Sequence, residues 1–327
     1  PIIKNTGGST VSNRLGTLNF YDGVLIGEEN NVIDGMLNEI EDETEIVKDT
    51  KEDGLQHVTL GIPTYYVAKI AESDNPDISN LDSRYYKLED GYYYFITLNS
   101  AVEASNINNA TTIELIDNPM VYRKIDIAPN QNITIKFNDK TLDLHAELNI
   151  ENNGTLKLLN EQISEEQQFG NIKATGGLLI KNNENATLEL DNISINYTSS
   201  VGSSSNYRKL VDNYGILNIT NSKYDVHSGS DYLYGYGIYN NENGIVNIDN
   251  LKMTGNVSRA IRNVAADKTD DQGNTIYPIV IKNSNISLGG THGEVGNYGT
   301  GTMLIENSNI STYTGLYNAS SGNVIIH

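Results

Sequence analysis

The chain has 327 residues, with 22 Lys+Arg against 42 Asp+Glu, 21 Tyr, 29 Gly and neither Cys nor Trp. At 38% hydrophobic it can bury a core despite a net charge of −20, and a surface this acidic repels phosphate, which excludes nucleic acid as a partner. The lack of Cys excludes disulfides, Cys-based zinc sites and thiol catalysis, and no run of about 18 apolar residues offers a membrane span.

Of 45 asparagines, 9 lie in residues 1–100 and 36 in residues 101–327, while the first 100 residues carry 18 acids against 7 bases. Two compositions predict two structural regimes. No basic or apolar leader opens the sequence at Pro1, so any export signal is expected to have been removed or to lie outside it. Residues 1–60 read as an acidic β segment. Within them, 14–26 alternates like the second and third strands of a coil, and 39–53 holds eight acids beside Lys48 and Lys51, the pattern of a solvated hairpin or linker. Residues 61–110 predict strands at Tyr65–Ile70 and Tyr92–Phe95 flanking a polar loop around 74–82. A helix follows at Thr97–Ala104, where Leu98, Ala101 and Val102 share a face and Thr97 is the N-cap. A solenoid's open end exposes core and strand edges, so this helix, near 97–107, is the expected cap.

Residues 111–327 repeat. An apolar residue, any residue and an asparagine recur before a Gly-containing turn, ending at Asn152, Asn182, Asn213, Asn240, Asn263, Asn297 and Asn318, with separations of 30, 31, 27, 23, 34 and 21. Each unit leads into an alternating run that ends in a second asparagine, such as Leu188-Glu189-Leu190-Asp191-Asn192 or Leu217-Asn218-Ile219-Thr220-Asn221. A third short run follows, such as Ile286-Ser287-Leu288. Earlier alternations at Ile113–Leu115, Ile125–Ile127, Ile133–Phe137 and Leu142–Leu144 read as opening coils. Three short strands per period, with corners that accept insertions, predict a three-faced right-handed parallel β-helix with aliphatic residues inside. The corner asparagines are expected both to adopt the left-handed conformation and to stack their amides coil on coil as a ladder.

The pattern resembles the pectin-lyase-like right-handed β-helix regions of large surface proteins of low-GC Gram-positive bacteria. The matching pieces are the tyrosine strand, the Thr97–Ala104 helix, Thr111–Leu115, Asn132–Ile135, Lys140–Leu142 and the cycle built on Asn152-Asn153-Gly154-Thr155-Leu156. The likeness covers roughly 60–327, and 12–60 looks like the end of an adjoining copy. It implies surface display, adhesion or structural reach. Pectate lyases and polygalacturonases share the fold, but the hydrolase motifs are missing: the paired Asp270-Asp271 stands in a polar insertion, the nearest His motif is Thr291-His292-Gly293, and neither Asn-Thr-Asp nor Arg-Ile-Lys occurs.

Two further runs carry candidate chemistry. The run 267–274 offers Asp267, Asp270 and Asp271 as oxygen ligands for calcium, but departs from the EF-hand spacing, so a hairpin insertion without cofactor is the plainer reading. The run 231–239 brings Tyr232, Tyr234, Tyr236 and Tyr239 close together; with Arg262 and Tyr317 at equivalent outward positions they are the candidate ligand contacts. The expectation is a non-enzymatic segment of an extracellular bacterial adhesin or stalk. Its partner would be a glycan or protein on a host or neighbouring cell, or further copies of itself. The alternatives are a carbohydrate-active β-helix enzyme and a phage tail fibre or spike.

Overall fold

The computed structural model describes residues 2–5, 11–19, 24–27, 32–38, 45–50, 55–61, 65–146, 148–161, 169–199, 208–228, 235–289 and 293–327. From Ala110 onward the chain winds as a three-faced parallel β-solenoid, whose right hand is the one that right-twisted strands impose on parallel crossovers. First strands such as Thr155–Leu159 and Thr187–Asp191 stack on one another, as do second strands such as Gly170–Gly176 and Ile193–Ser199. Both faces belong to one 18-stranded sheet, because Ile216–Ser228 and Ile245–Gly255 run unbroken through the corner between them. The third strands form a separate 8-stranded sheet, running from Ile125–Ile127 through Leu148–Asn152 to Gly315–Asn318.

Alternation decides which side chains enter. On the first face the inward column runs Ile135, Leu158, Leu190, Ile219, Ile248, Ile281 and Ile305, each at most 2% exposed. Ile150, Ile180, Val211, Ile238, Ile261 and Val295 do the same on the third face, all fully buried. Each such side chain contributes about 1.5–3 kcal/mol of transfer free energy. A shift of one residue would turn a whole column to solvent, and this fixes the register.

The asparagine ladder is present, and it corrects one expectation. Asn152 donates through Nδ2 to Oδ1 of Asn182 at 2.8 Å, and the same link repeats to Asn213, Asn240, Asn263 and Asn297 at 2.7–2.9 Å. These asparagines are fully buried, and none of them is among the residues with positive φ. The left-handed conformation belongs to the second asparagine of the cycle: Asn192, Asn221, Asn250, Asn283 and Asn307, with φ between 47° and 57°. The two duties expected of one residue are divided between two corners. The buried corner needs an amide that donates and accepts at once; the outer corner needs a short polar residue that tolerates positive φ. Asn318 sits in register with Asn297, but it is exposed and donates to Gly322 O at 2.7 Å.

At the other end the column starts at Asn152, whose partner in the preceding coil is Ile127. Polar bonding there passes to buried Gln131, which donates to Val102 O and Ser105 O at 3.2 and 3.1 Å and accepts from Ala128 N at 2.7 Å. Those carbonyls lie at the end of helix α1, Leu98–Glu103, where Thr97 Oγ1 accepts from Ser100 N at 3.1 Å as the N-cap. Leu98, Ala101 and Val102 are buried, which makes the helix a plug over the core. One strand more than the sequence predicts lies beside it, Tyr86–Glu89. Tyr86–Glu89 and Tyr92–Phe95 form an antiparallel hairpin turning through Asp90 and Gly91 at φ 50° and 77°, and Ala68–Ala71 pairs antiparallel with the other edge of Tyr92–Phe95, which is the central strand of the three. Ala68–Ala71 lies antiparallel to Ala110–Leu115 and so ends the parallel stacking on that face.

In the acidic segment Ile2–Lys4 pairs parallel with Val24–Gly27, and Val11–Asn19 with Ile33–Asn38, a coil-like arrangement. Glu45–Thr50 and Gln56–Gly61 form an antiparallel pair.

Candidate ligand-binding face

The outward position between the buried aliphatic and the ladder asparagine is where the third face meets its surroundings. Read coil by coil it runs Asp126, Glu151, Lys181, Asp212, Tyr239, Arg262, Gly296 and Tyr317, in register. The first half is an ion-pair ladder. Lys124 Nζ lies 2.8 Å from Asp126 Oδ1 and 2.6 Å from Glu151 Oε2, and Lys181 Nζ lies 3.1 Å from Glu151 Oε1. Hydrogen bonds from Lys124, Asn183 and Lys181 hold the Glu151 carboxyl down at about 2, from an ordinary 4.5.

Glu151 contributes stability fully above pH 4.5, and the contribution disappears as pH falls towards 2. Glu151→Gln is therefore expected to lower the unfolding midpoint at pH 7 and to flatten its decline below pH 4.5. Denaturant titrations at a series of pH values check this, and an unchanged acid slope in the variant would contradict it.

The second half of the face is aromatic and cationic. Lys209 Nζ sits 4.4 Å above the Tyr239 ring and 2.8 Å from Asp212 Oδ2, while Asn241 donates to Asp212 Oδ1 at 2.7 Å. Arg262 lies over the Tyr298 ring at 4.1 Å and 5.5 Å from the Tyr239 centroid. Tyr298 and Tyr317 are 5.4 Å apart, tilted by 49°. Gly296 interrupts the expected column for a steric reason. A Cβ there would come 2.7 Å from the Tyr298 ring, so glycine leaves the groove into which that ring folds between Arg262 and Tyr317. Behind them Arg259 Nε pairs with Glu294 Oε1, which also accepts from Tyr298 OH at 2.6 Å. Burial and the Glu294 carboxylate raise the Tyr298 hydroxyl above the ordinary phenol range, so it stays protonated and donates.

The structure brings Tyr239, Arg262 and Tyr317 onto one face, but with different exposures. Tyr317 is 42% exposed, whereas Tyr236 is 2% exposed. Its ring is packed edge-on 5.3 Å from Tyr239, and its hydroxyl accepts from Arg262 Nη1 at 3.3 Å. Tyr236 supports the face from beneath and does not present to a ligand. Tyr232, Tyr234 and His292 lie outside the described residues. Lys209, Arg259, Glu294 and Tyr298 were missed. Tyr298 had a signal: the residue after the ladder asparagine also points outward, as Tyr214 and Asn241 do in other coils.

The acidic run at 267–274 forms the hairpin Lys268–Thr269 with Thr275–Ile276. Asp267 accepts from Thr302 N and Oγ1 at 2.6 and 2.8 Å, and Asp270 accepts from the backbone of Gln272 and Asn274, while Asp271 is exposed. Among the described residues no group of three or more His, Asp or Glu side chains is gathered to hold a metal. Compared with family models, with curated proteins and with solved structures, the chain matches none, and its function has to be read from its own side chains.

Proposed function

We propose that this chain is a non-enzymatic segment of a bacterial cell-surface adhesin or stalk, in which stacked coils give reach and the third face contacts a glycan or protein on a host or neighbouring cell. The observation that carries this reading is the alternation of cations and rings from Lys209 to Tyr317 on in-register strands. A solenoid gains length one coil at a time, because each coil needs only its neighbours. Five coils at about 4.8 Å spacing give a row about 20 Å long, on a sheet whose side chains are already ordered before contact. Rings held this way offer large contact area at little entropic cost.

The test is adhesion of beads coated with the purified chain to epithelial and bacterial cells. A Tyr239→Ala/Tyr317→Ala double variant is expected to lower retention about tenfold or more, the loss of roughly two aromatic contacts. Retention unaffected by the double variant would contradict the role of this face. Release of reducing ends or unsaturated products from acidic polysaccharides, abolished by a single Asp substitution, would replace the whole reading with an enzyme.

A further inference from the structure

We propose that Arg262 is the anion-receiving group of the third face, and that the ligand it receives is a glycan ending in a pyranose with a single carboxylate. The proposal rests on the reading of this face as a contact surface. Its starting point is the charge balance. Lys209 is paired with Asp212, and Arg259 with Glu294. Arg262 has no carboxylate partner among the described residues. Its Nη1 donates to the Tyr236 hydroxyl at 3.3 Å, and its Nε is buried with no hydrogen-bond acceptor. The guanidinium is thus partly stripped of water and held by π faces, with its charge uncompensated. A carboxylate reaching its outer edge gains more there than at a solvated surface arginine, because the desolvation has already been met by folding.

The surroundings select what carries the carboxylate. Tyr298 lies beneath Arg262, with Tyr317 beyond it and Tyr239 on the other side. A pyranose brings C–H faces to lie on such rings, whereas an acidic peptide side chain brings the charge on a flexible arm with nothing to stack. The net charge of −20 selects against ligands with many charges, since every further anionic group is repelled by the rest of the molecule. One carboxylate at the end of an otherwise neutral chain is the arrangement that takes the local attraction and avoids the long-range repulsion.

Titration calorimetry of the whole chain with 3′-sialyllactose, lactose, a galacturonate oligomer and a Glu-rich peptide tests this. The acidic trisaccharide is expected to bind at least about tenfold tighter than lactose, the effect of one charge-assisted pair. Arg262→Gln is expected to bring the acidic trisaccharide and lactose to the same affinity, Arg262→Lys to restore part of the difference, and Tyr317→Ala to weaken both sugars. The unfolding midpoint of each variant shows that the fold is intact. Equal binding of the two sugars, tighter binding of the galacturonate oligomer, or binding of the peptide alone would overturn the proposal. If neither sugar binds while cell adhesion still depends on Tyr239 and Tyr317, the ligand class is wrong and the contact face stands. If adhesion is independent of them as well, both fall.

Discussion

Asn213→Leu is expected to destabilise the solenoid by about 3–5 kcal/mol, although leucine has the same branched shape as asparagine and is more apolar. Asn213 accepts from Asn182 Nδ2 at 2.7 Å and donates to Asn240 Oδ1 at 2.8 Å, and it also reaches Gly215 O and Ile245 O at 3.1 Å. Removing it strands an amide donor on one side and an acceptor on the other, in a column closed to water. Each buried group left without a partner costs about 1–3 kcal/mol. The same change at Asn318, which is exposed, is expected to cost less than about 0.5 kcal/mol. Denaturant unfolding of the two variants side by side checks the pair, and similar losses would mean that amide stacking contributes little.

Gly215→Ala is expected to be at least as damaging as a core truncation, at about 3 kcal/mol or more, and to do so by steric conflict alone. Gly215 has no positive φ. A Cβ there would stand 2.2 Å from Ala186 O and 2.6 Å from Asn183 O, both backbone atoms of the preceding coil. Ala186 O cannot retreat without giving up the bond from Ile216 N at 2.9 Å. Moving the coils apart would stretch the Asn182–Asn213 link beside it. Gly91→Ala is the contrasting case: its φ is 77° with nothing near the added methyl, so it is expected to cost about 1 kcal/mol from backbone conformation only. Calorimetric midpoints of both variants separate the two mechanisms, and equal shifts would contradict the close approach at Gly215.

The solenoid was legible because its chemistry is periodic and unusual. A buried amide two residues after a buried aliphatic has few explanations other than stacking, and it recurs from Asn152 to Asn297. What misled was that two physical needs use the same letter. Asn192 and Asn182 look alike in sequence, yet one bends the backbone outside and the other bonds within the core. The separating cue is the run before each: a short aliphatic-x-Asn for the ladder, a longer alternation for the left-handed corner. The contact face was only half legible. Alternation placed Tyr239, Arg262 and Tyr317 outward, but which rings meet depends on corner lengths and on small residues such as Gly296, whose effect is felt one coil away. The strand Tyr86–Glu89 was not legible, because its own run lacks the aromatic density that marks its partner Tyr92–Phe95.

Parallel, in-register stacking holds the whole solenoid together, and cysteine pairs test it most directly because the chain has no native thiols. Asn218 and Asn247 face outward in adjacent coils as register partners, at the roughly 4.8 Å spacing that suits a disulfide spanning about 4.4–6.8 Å between Cα atoms. The Asn218→Cys/Asn247→Cys variant is predicted to cross-link completely under mild oxidation, as are the pairs at Lys157 with Glu189 and Leu304 with Ile325. Asn218→Cys/Asp249→Cys, displaced by two residues to about 8 Å, is predicted to stay reduced. Cross-linking of the displaced pair in preference to the three register pairs would contradict the stacked solenoid.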